Sequence, residues 1–504
     1  MKTIYLILLL VTVSNNLYSK TLQVGGGKEY ATIRLAALQA EAGDTIFVYG
    51  GVHQGGMLIS KLQGTADLRI FIIGQPDTEV IIRGGGNSIQ FSDAKYVEIQ
   101  GLIIENQTSN GMNIDDGGDY STPAEFITIS DCIFRDISAT GNNDLLKMSG
   151  VDNFIIKSCI FENGSAGGSG VDMVGCHNGK IQNCIFKNMG SNAIQAKGGT
   201  QYIEIYANYF ENCGQRTLNL GGSTGLQYFR PIDAKFEAAD LQVYSNIFIG
   251  SLAPIAYVGS VRVDVINNTI INPERWVIRI LQETVDESRF EKCGNNRFEN
   301  NIIYFGNIST ETNVGTNTAP ETFTFRNNYW YNHQNPNWQG PNLPATEINQ
   351  VVGLDPFFEN FTNNDFRLKA ASSARSYITY TGMPIQDYSG NNYLQPRSAG
   401  AFEFNDNTVV KESKESLFVI TPNPASDFIT IQLRNKGLQP FAADRVQIFD
   451  MLGLEVISTP SASQPPTGEG NLRIDVSHLP TGVYFVQIIG SNGACSIVKK
   501  FVKM

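Results

Sequence analysis

The sequence predicts an all-β protein: a right-handed parallel β-helix, a solenoid of short strands, followed by a small C-terminal β-sandwich. Three observations carry this. A short apolar motif recurs between residues 126 and 330. Charged residues are scarce at 17%, while Gly is abundant at 49, which suits short strands and many turns better than helices. Beyond residue 417 the pattern changes to longer alternating strands.

The chain opens on Met1-Lys2, an apolar run over 4–13, then polar residues and a small residue at Ser19. That run is about half the ~20 residues needed to cross a bilayer, so residues 1–19 read as a signal peptide. No later segment is apolar for long enough to span, and no membrane span is expected in the mature chain. The β-helix is assigned to 20–405. Its start is TLQVGGGKEYATIRLAALQAEAGDTIFVYGG (21–51), in which 31–40 can form a short amphipathic helix that caps the open core. Gly43-Asp44 then turns the chain into a strand at 45–49.

The repeat itself is an apolar alternating run, then Asn or Cys, then a hydrophobic or aromatic pair. It reads FITISDCIF (126–134), FIIKSCIF (154–161), KIQNCIF (180–186) and YIEIYANYF (202–210). It continues as LQVYSNIF (241–248), VRVDVINNTI (261–270), RFENNII (297–303) and FTFRNNYW (323–330). The Cys or Asn positions are 132, 159, 184, 208, 246, 268, 301 and 328, spaced by 27, 25, 24, 38, 22, 33 and 27. A period in the mid-twenties is one coil, and the two long intervals are coils with inserted loops. Stacked coils lie about 4.8 Å apart, so Cys132, Cys159, Cys184 and the five Asn form one inward column. Inward Asn side chains can bond along such a column, which makes these residues structural. The seven cysteines include no CxxC-type metal pair.

Downstream, 353–374 and 398–404 read as closing coils, and the polar stretch 406–417 reads as a linker. Residues 418–504 hold ITPNPASDFITIQL, VQIFDMLGLEV, IDVSHLPTGVYFVQI and KKFVKM, four or five strands of a β-sandwich. Through PNPA, the DMLG turn and LPTGVYFVQI this segment resembles the C-terminal sorting domain of type IX secretion cargo in Bacteroidetes. The resemblance implies export to the outer-membrane surface or beyond, with the type IX machinery as a partner.

A net charge of −11 argues against nucleic acid as a partner. The chemistry is expected on an outward face. A second strand set ends in Gly: NIDDGG (113–118), LLKMSG (145–150), VDMVG (171–175), IQAKGG (194–199), TLNLGG (217–222) and IAYVG (255–259). Aligned on Gly, it gives inward columns led by Ile114 and Asp116, and two outward columns. One outward column is Asp115, Lys147, Asp172, Gln195, Asn219, Ala256; the other is Gly117, Ser149, Val174, Lys197, Gly221, Val258. The segment 213–231 with the insertion that continues from it, and the run RWVIRILQE (275–283), add Arg216, Tyr228, Phe229, Arg230, Lys235, Arg275, Trp276 and Arg279. Cations interleaved with aromatics suit an anionic sugar chain.

The stretch AIQAKGGTQYIEIYANYFENCGQRTLNLGGS (193–223) resembles β-helical polysaccharide lyases of the chondroitinase B and alginate lyase group. The resemblance puts Lys197 in the place of the catalytic base. LNLGG (218–222) stands where that family has an arginine, with Arg216 the nearest substitute. It implies β-elimination from a uronate: a cation or metal neutralises the carboxylate, Lys197 takes the C5 proton, and Arg216 or a Tyr protonates the leaving oxygen. Lys147, Asp172, Gln195, Asn219, Tyr228, Arg230, Trp276 and Arg279 are then the candidate substrate-binding residues. Calcium is the cofactor the resemblance brings, with Asp172 as the candidate ligand, although Gly190 and Asn192 occupy the family's two acidic positions. Three other readings stand beside it. Lys147–Asp172–Lys197 can be a solvated charge ladder, the protein can be a non-catalytic carbohydrate-binding or adhesive surface protein, and Asp115, Asp116 and Asp119 can suggest a two-carboxylate hydrolase. A monomer is expected under each reading.

Overall fold

The computed structural model describes residues 19–379, 382–405, 418–433, 443–449, 455–458, 471–490 and 497–503. The signal peptide lies outside these residues but for Ser19, and the linker 406–417 and Cys495 lie wholly outside them. The chain divides into two compact units after Asp406.

Three parallel sheets of 17, 12 and 10 strands, among the described residues, make up the first unit. Ten successive coils contribute a rung to every sheet among the described residues. A helix at Ile33–Ala37 covers the N-terminal end, with the Thr32 hydroxyl accepting from the Leu35 amide at 3.2 Å and Ile33 and Ala36 turned inward. It is shorter than the ten-residue stretch expected.

The corner between the 17- and 12-stranded sheets explains the repeat. It is a two-residue turn whose first residue is left-handed: Asp131, Ser158, Asn183, Ala207, Ser245, Asn267, Asn300 and Asn327 all have φ between 53° and 57°. Asn and Asp tolerate that conformation best, hence their frequency there. The second residue is the Cys or Asn of the motif, and all eight are buried. Each Asn carbonyl oxygen accepts from the rung before, as in Asn208 N to Asn246 Oδ1 at 2.9 Å and Asn246 N to Asn268 Oδ1 at 3.0 Å. Each Asn amide donates inward, as in Asn268 Nδ2 to the Val243 carbonyl at 3.0 Å. Two residues on, Phe134, Phe161, Phe186, Phe210 and Phe248 stack at centroid separations of 4.7–5.0 Å.

The ladder ends on a residue the motif did not reveal. Glu347 accepts from Asn328 N at 3.0 Å, Asn328 Nδ2 at 2.7 Å and Trp330 Nε1 at 2.9 Å. Burial pushes its carboxyl up to about 7.

Two expectations change. Residues 353–405 are not further coils. They form a hairpin, Phe358–Asn360 with Asp365–Leu368, and then fold back over the outside, packing Phe366, Leu368, Ile378 and Phe402 on outward Ile247, Ile302 and Tyr329. Outward apolar side chains on late rungs need that cover. The first coil of the Gly alignment is also shifted by two. Met112 pairs with Leu146 and Ile114 with Met148, so Asn113, not Asp115, lies beside Lys147. The Gly117-Gly118 pair lies in the turn beyond the strand, where Asp115 and Asp116 accept from the Gly117 and Gly118 amides at 3.0 and 2.9 Å.

The second unit is a sandwich of a three-stranded and a four-stranded antiparallel sheet among the described residues, seven strands where four or five were expected. Ile429, Ile431, Ile448, Val486 and Phe501 form its core.

Candidate functional site

The ten-stranded sheet carries the charged face. Its register runs Lys147, Asp172, Gln195, Asn219, Ala256, Arg279, Asn313 along one outward column. Ser149, Val174 and Lys197 follow along the next. From Lys147 to Ala256 this is the predicted order, and Arg279 and Asn313 extend it.

Asp172 has no solvent exposure, and one oxygen serves two amines. Lys147 Nζ donates to Oδ2, and Lys197 Nζ lies 3.3 Å from the same atom. Asp144, which the sequence reading missed, joins them from the turn before the Lys147 strand. Its Oδ2 is 3.6 Å from Lys147 Nζ, and its Oδ1 accepts from the Ser169 amide at 2.8 Å. Burial, and then the charge of Asp172, push the Asp144 carboxyl up to about 7. Burial works against the Lys147 ammonium, but Asp172 and Asp144 outweigh it and leave its pKa raised. Asp172 Oδ1 and Asp144 Oδ2 are buried without a hydrogen-bond donor.

One rung beyond Gln195, Arg216 Nη1 donates to Asn219 Oδ1 at 3.2 Å, and Nη2 donates to Glu283 Oε1 at 2.5 Å. Arg216 precedes its strand (Leu218–Gly221), while Glu283 follows a strand two rungs on (Ile278–Leu281). Their ion pair therefore crosses the sheet, over outward side chains that are themselves buried, Asn219 and Ala256. The guanidinium carbons of Arg275 and Arg279 lie 4.1 and 4.7 Å from the Trp276 ring centroid. Arg279 Nε donates to Asn313 Oδ1 at 3.0 Å.

The loops after the strands wall one side. Glu237, fully buried, accepts from the Gly198 and Thr224 amides, both at 2.8 Å, and from the Thr284 hydroxyl at 2.5 Å. It thereby fixes the turn that follows Lys197. Phe229 packs on Phe290 at 5.3 Å, and Arg289 stacks on both rings. Gly222 leaves clearance here: a side chain would start 2.8 Å from Gln195 Nε2 and 3.3 Å from Lys197.

The structure thus brings Lys147, Asp172, Gln195 and Lys197 together, and gathers Asn219, Arg216, Trp276 and Arg279 on the following rungs. It sets two predicted residues apart. Arg230 turns to the rim, where it grips Asp152 with two 2.7 Å bonds and meets the Gly175 carbonyl at 2.9 Å and His177 Nδ1 at 3.0 Å. Tyr228 is exposed on the wall. Asp144 left a faint trace in sequence, an acid three residues before Lys147. Glu237 left none, because its role depends on a loop returning across 39 residues.

The donor set does not suit calcium, which takes about six to eight oxygens. Among the described residues no group of three or more His, Cys, Asp or Glu could hold a metal ion. The Asn192 amide is spent on Ser169, Ser191 and Arg216, and a dication at Asp172 would face two ammonium groups. Asp115 is likewise engaged, accepting from Gln90, Ser92 and Asn113.

Comparison with known proteins identifies the C-terminal segment. Residues 419–504 match the secretion system C-terminal sorting domain, so the chain carries a sorting domain for export. A pectate lyase structure superposes with a TM-score of 0.48 at 13% identity, covering 77% of this chain and 97% of the enzyme. An alginate lyase from a Paenibacillus species gives 0.40 at 16% identity, over 60% of this chain and 99% of that one. A lacto-N-biosidase from Eubacterium ramulus gives 0.38 at 13%, over 66% and 68%. No curated protein sequence matches the chain. No helix among the described residues is long and apolar enough to cross a membrane.

Proposed function

We propose that this chain is a surface or secreted protein, exported by type IX secretion, whose β-helix cleaves a uronate-containing polysaccharide by β-elimination. The observation that carries the reading is the pairing of two amines on one buried carboxylate, in line with a row of guanidinium groups on the same face. Lys147 is held by two carboxylates, Asp172 and Asp144, and so is suited to stay charged and face the carboxylate of the reacting sugar. Lys197 shares only Asp172, which leaves it the less committed amine and the candidate base. It would take the C5 proton as the C4–O bond breaks and the C4=C5 double bond forms. Arg216 supplies positive charge on the side of the departing oxygen, which takes its proton from water. No step runs through a metal.

Incubation with alginate, pectin and chondroitin while following the absorbance of unsaturated uronate tests this reading. Product from one of them, lost in Lys197→Ala, is expected. Full activity in that variant removes Lys197 as the base. One observation favours a second reading, a non-catalytic glycan-binding protein: Asp172, fully buried, holds both amines within ion-pair distance and leaves the Lys147 pKa raised, as in a structural ion-pair cluster. Binding of these glycans with no unsaturated product would decide for it.

A further inference from the structure

Three guanidinium groups, Arg216 on the rung of Asn219 and Arg275 and Arg279 two rungs on, gather on this face, in a protein whose net charge is −11. Glu283 is the carboxylate that meets them, and it reaches Arg216 only. No ion pair joins Arg275 or Arg279 to a carboxylate among the described residues. Burial, and then the charge of Arg216, lower the pKa of Arg279, as expected where like charges crowd. Trp276 aligns the two unpaired guanidiniums against its ring. Cationic crowding of this kind costs stability unless an anion relieves it.

We infer that Glu283 is an internal stand-in for a substrate carboxylate. Arg216, Arg275 and Arg279 form a subsite for the acidic group of a second uronate, reaching from one rung (Arg216) to three rungs (Arg279), about 5 to 14 Å, along the face from Gln195. The inference rests on the glycan reading above but not on catalysis. The incoming carboxylate takes the place of Glu283 on Arg216 and draws in Arg279 and Arg275. The strap across Asn219 and Ala256 opens as it does so, and the floor between Lys197 and Trp276 becomes continuous. A neutral glycan has nothing with which to displace Glu283, so the strap selects for acidic chains.

The test uses the full chain carrying Lys197→Ala, so that ligand is not consumed. Hexasaccharides of galacturonate, mannuronate and chondroitin are titrated by calorimetry, with cellohexaose as the neutral control. Glu283→Gln should tighten binding of an acidic hexasaccharide about threefold to tenfold, because the competitor is gone. Arg279→Gln should weaken it about tenfold, through loss of a charge-assisted contact. Cellohexaose should not respond to either change. Unchanged or weaker acidic binding in a folded Glu283→Gln variant overturns the inference, as does failure of every acidic hexasaccharide to bind. Failure of the lyase reading shows elsewhere, as wild-type binding without unsaturated product, and leaves the subsite standing.

Discussion

The molecule stacks polar side chains in two places, and the two stacks obey opposite rules. Inside, the Asn column from Asn208 to Asn328 repeats one residue, and each amide is bonded above, below and to a main-chain carbonyl. Outside, Lys147, Asp172, Gln195, Asn219 and Arg279 differ at every rung. Two carboxylate oxygens beside them are buried without a donor. A buried polar network stabilises when it is complete, and a repeated residue completes it automatically. The outer column is incomplete and non-repeating, as expected where binding or proton transfer takes precedence over stability.

Four substitutions sharpen the contrast. Lys197→Ala should cut the rate of unsaturated-uronate formation by about a hundredfold to ten-thousandfold, with the unfolding midpoint nearly unchanged. Asn268→Ala should do the reverse. It removes the acceptor for Asn246 and the donors to Val243 and Asn301 at once, and should cost about 3 kcal/mol in urea unfolding. If Lys197→Ala unfolds the protein instead, the outer column is structural after all.

The third concerns pH. Asp144 in the outer cluster and Glu347 at the end of the ladder are both pushed up to about 7 by burial. The folded state then keeps protons that the unfolded chain has lost, so their contribution is full below about pH 4 and declines as pH rises through 7. Asp144→Asn should flatten part of that decline in pH-resolved unfolding. An unaltered slope would show that Asp144 keeps an ordinary carboxyl. The smallest effect belongs to Cys159→Ala. It removes a thiol that donates weakly to the Ile129 carbonyl at 3.7 Å, and should cost about 1 kcal/mol with no dependence on reductant.

Much of this was legible in sequence for a physical reason. The left-handed corner selects Asn, Asp and Ser, and the inward position beside it selects Asn or Cys, so each coil writes its own register at Asn183-Cys184 or Asn267-Asn268. The outward columns followed from that register. The error at Asp115 arose because a Gly-Gly turn follows the strand there, where later coils place a single Gly or a Gly pair directly at the strand end. The place of Arg230 was not legible, because a loop residue carries no periodicity. The loop returns to Asp152, and nothing in the spacing states where.

By itself the sequence determined the solenoid, its ladder, the exported tail and the order Lys147, Asp172, Gln195, Asn219, because a period-two strand on a fixed rung assigns each side chain a face. Only the tertiary structure decided that one carboxylate serves two lysines and that Asp144 and Glu237 belong to the site. It also decided that Glu283 straps the floor to Arg216. These contacts join residues from different coils through turns and loops, where distance along the chain carries no information about distance in space.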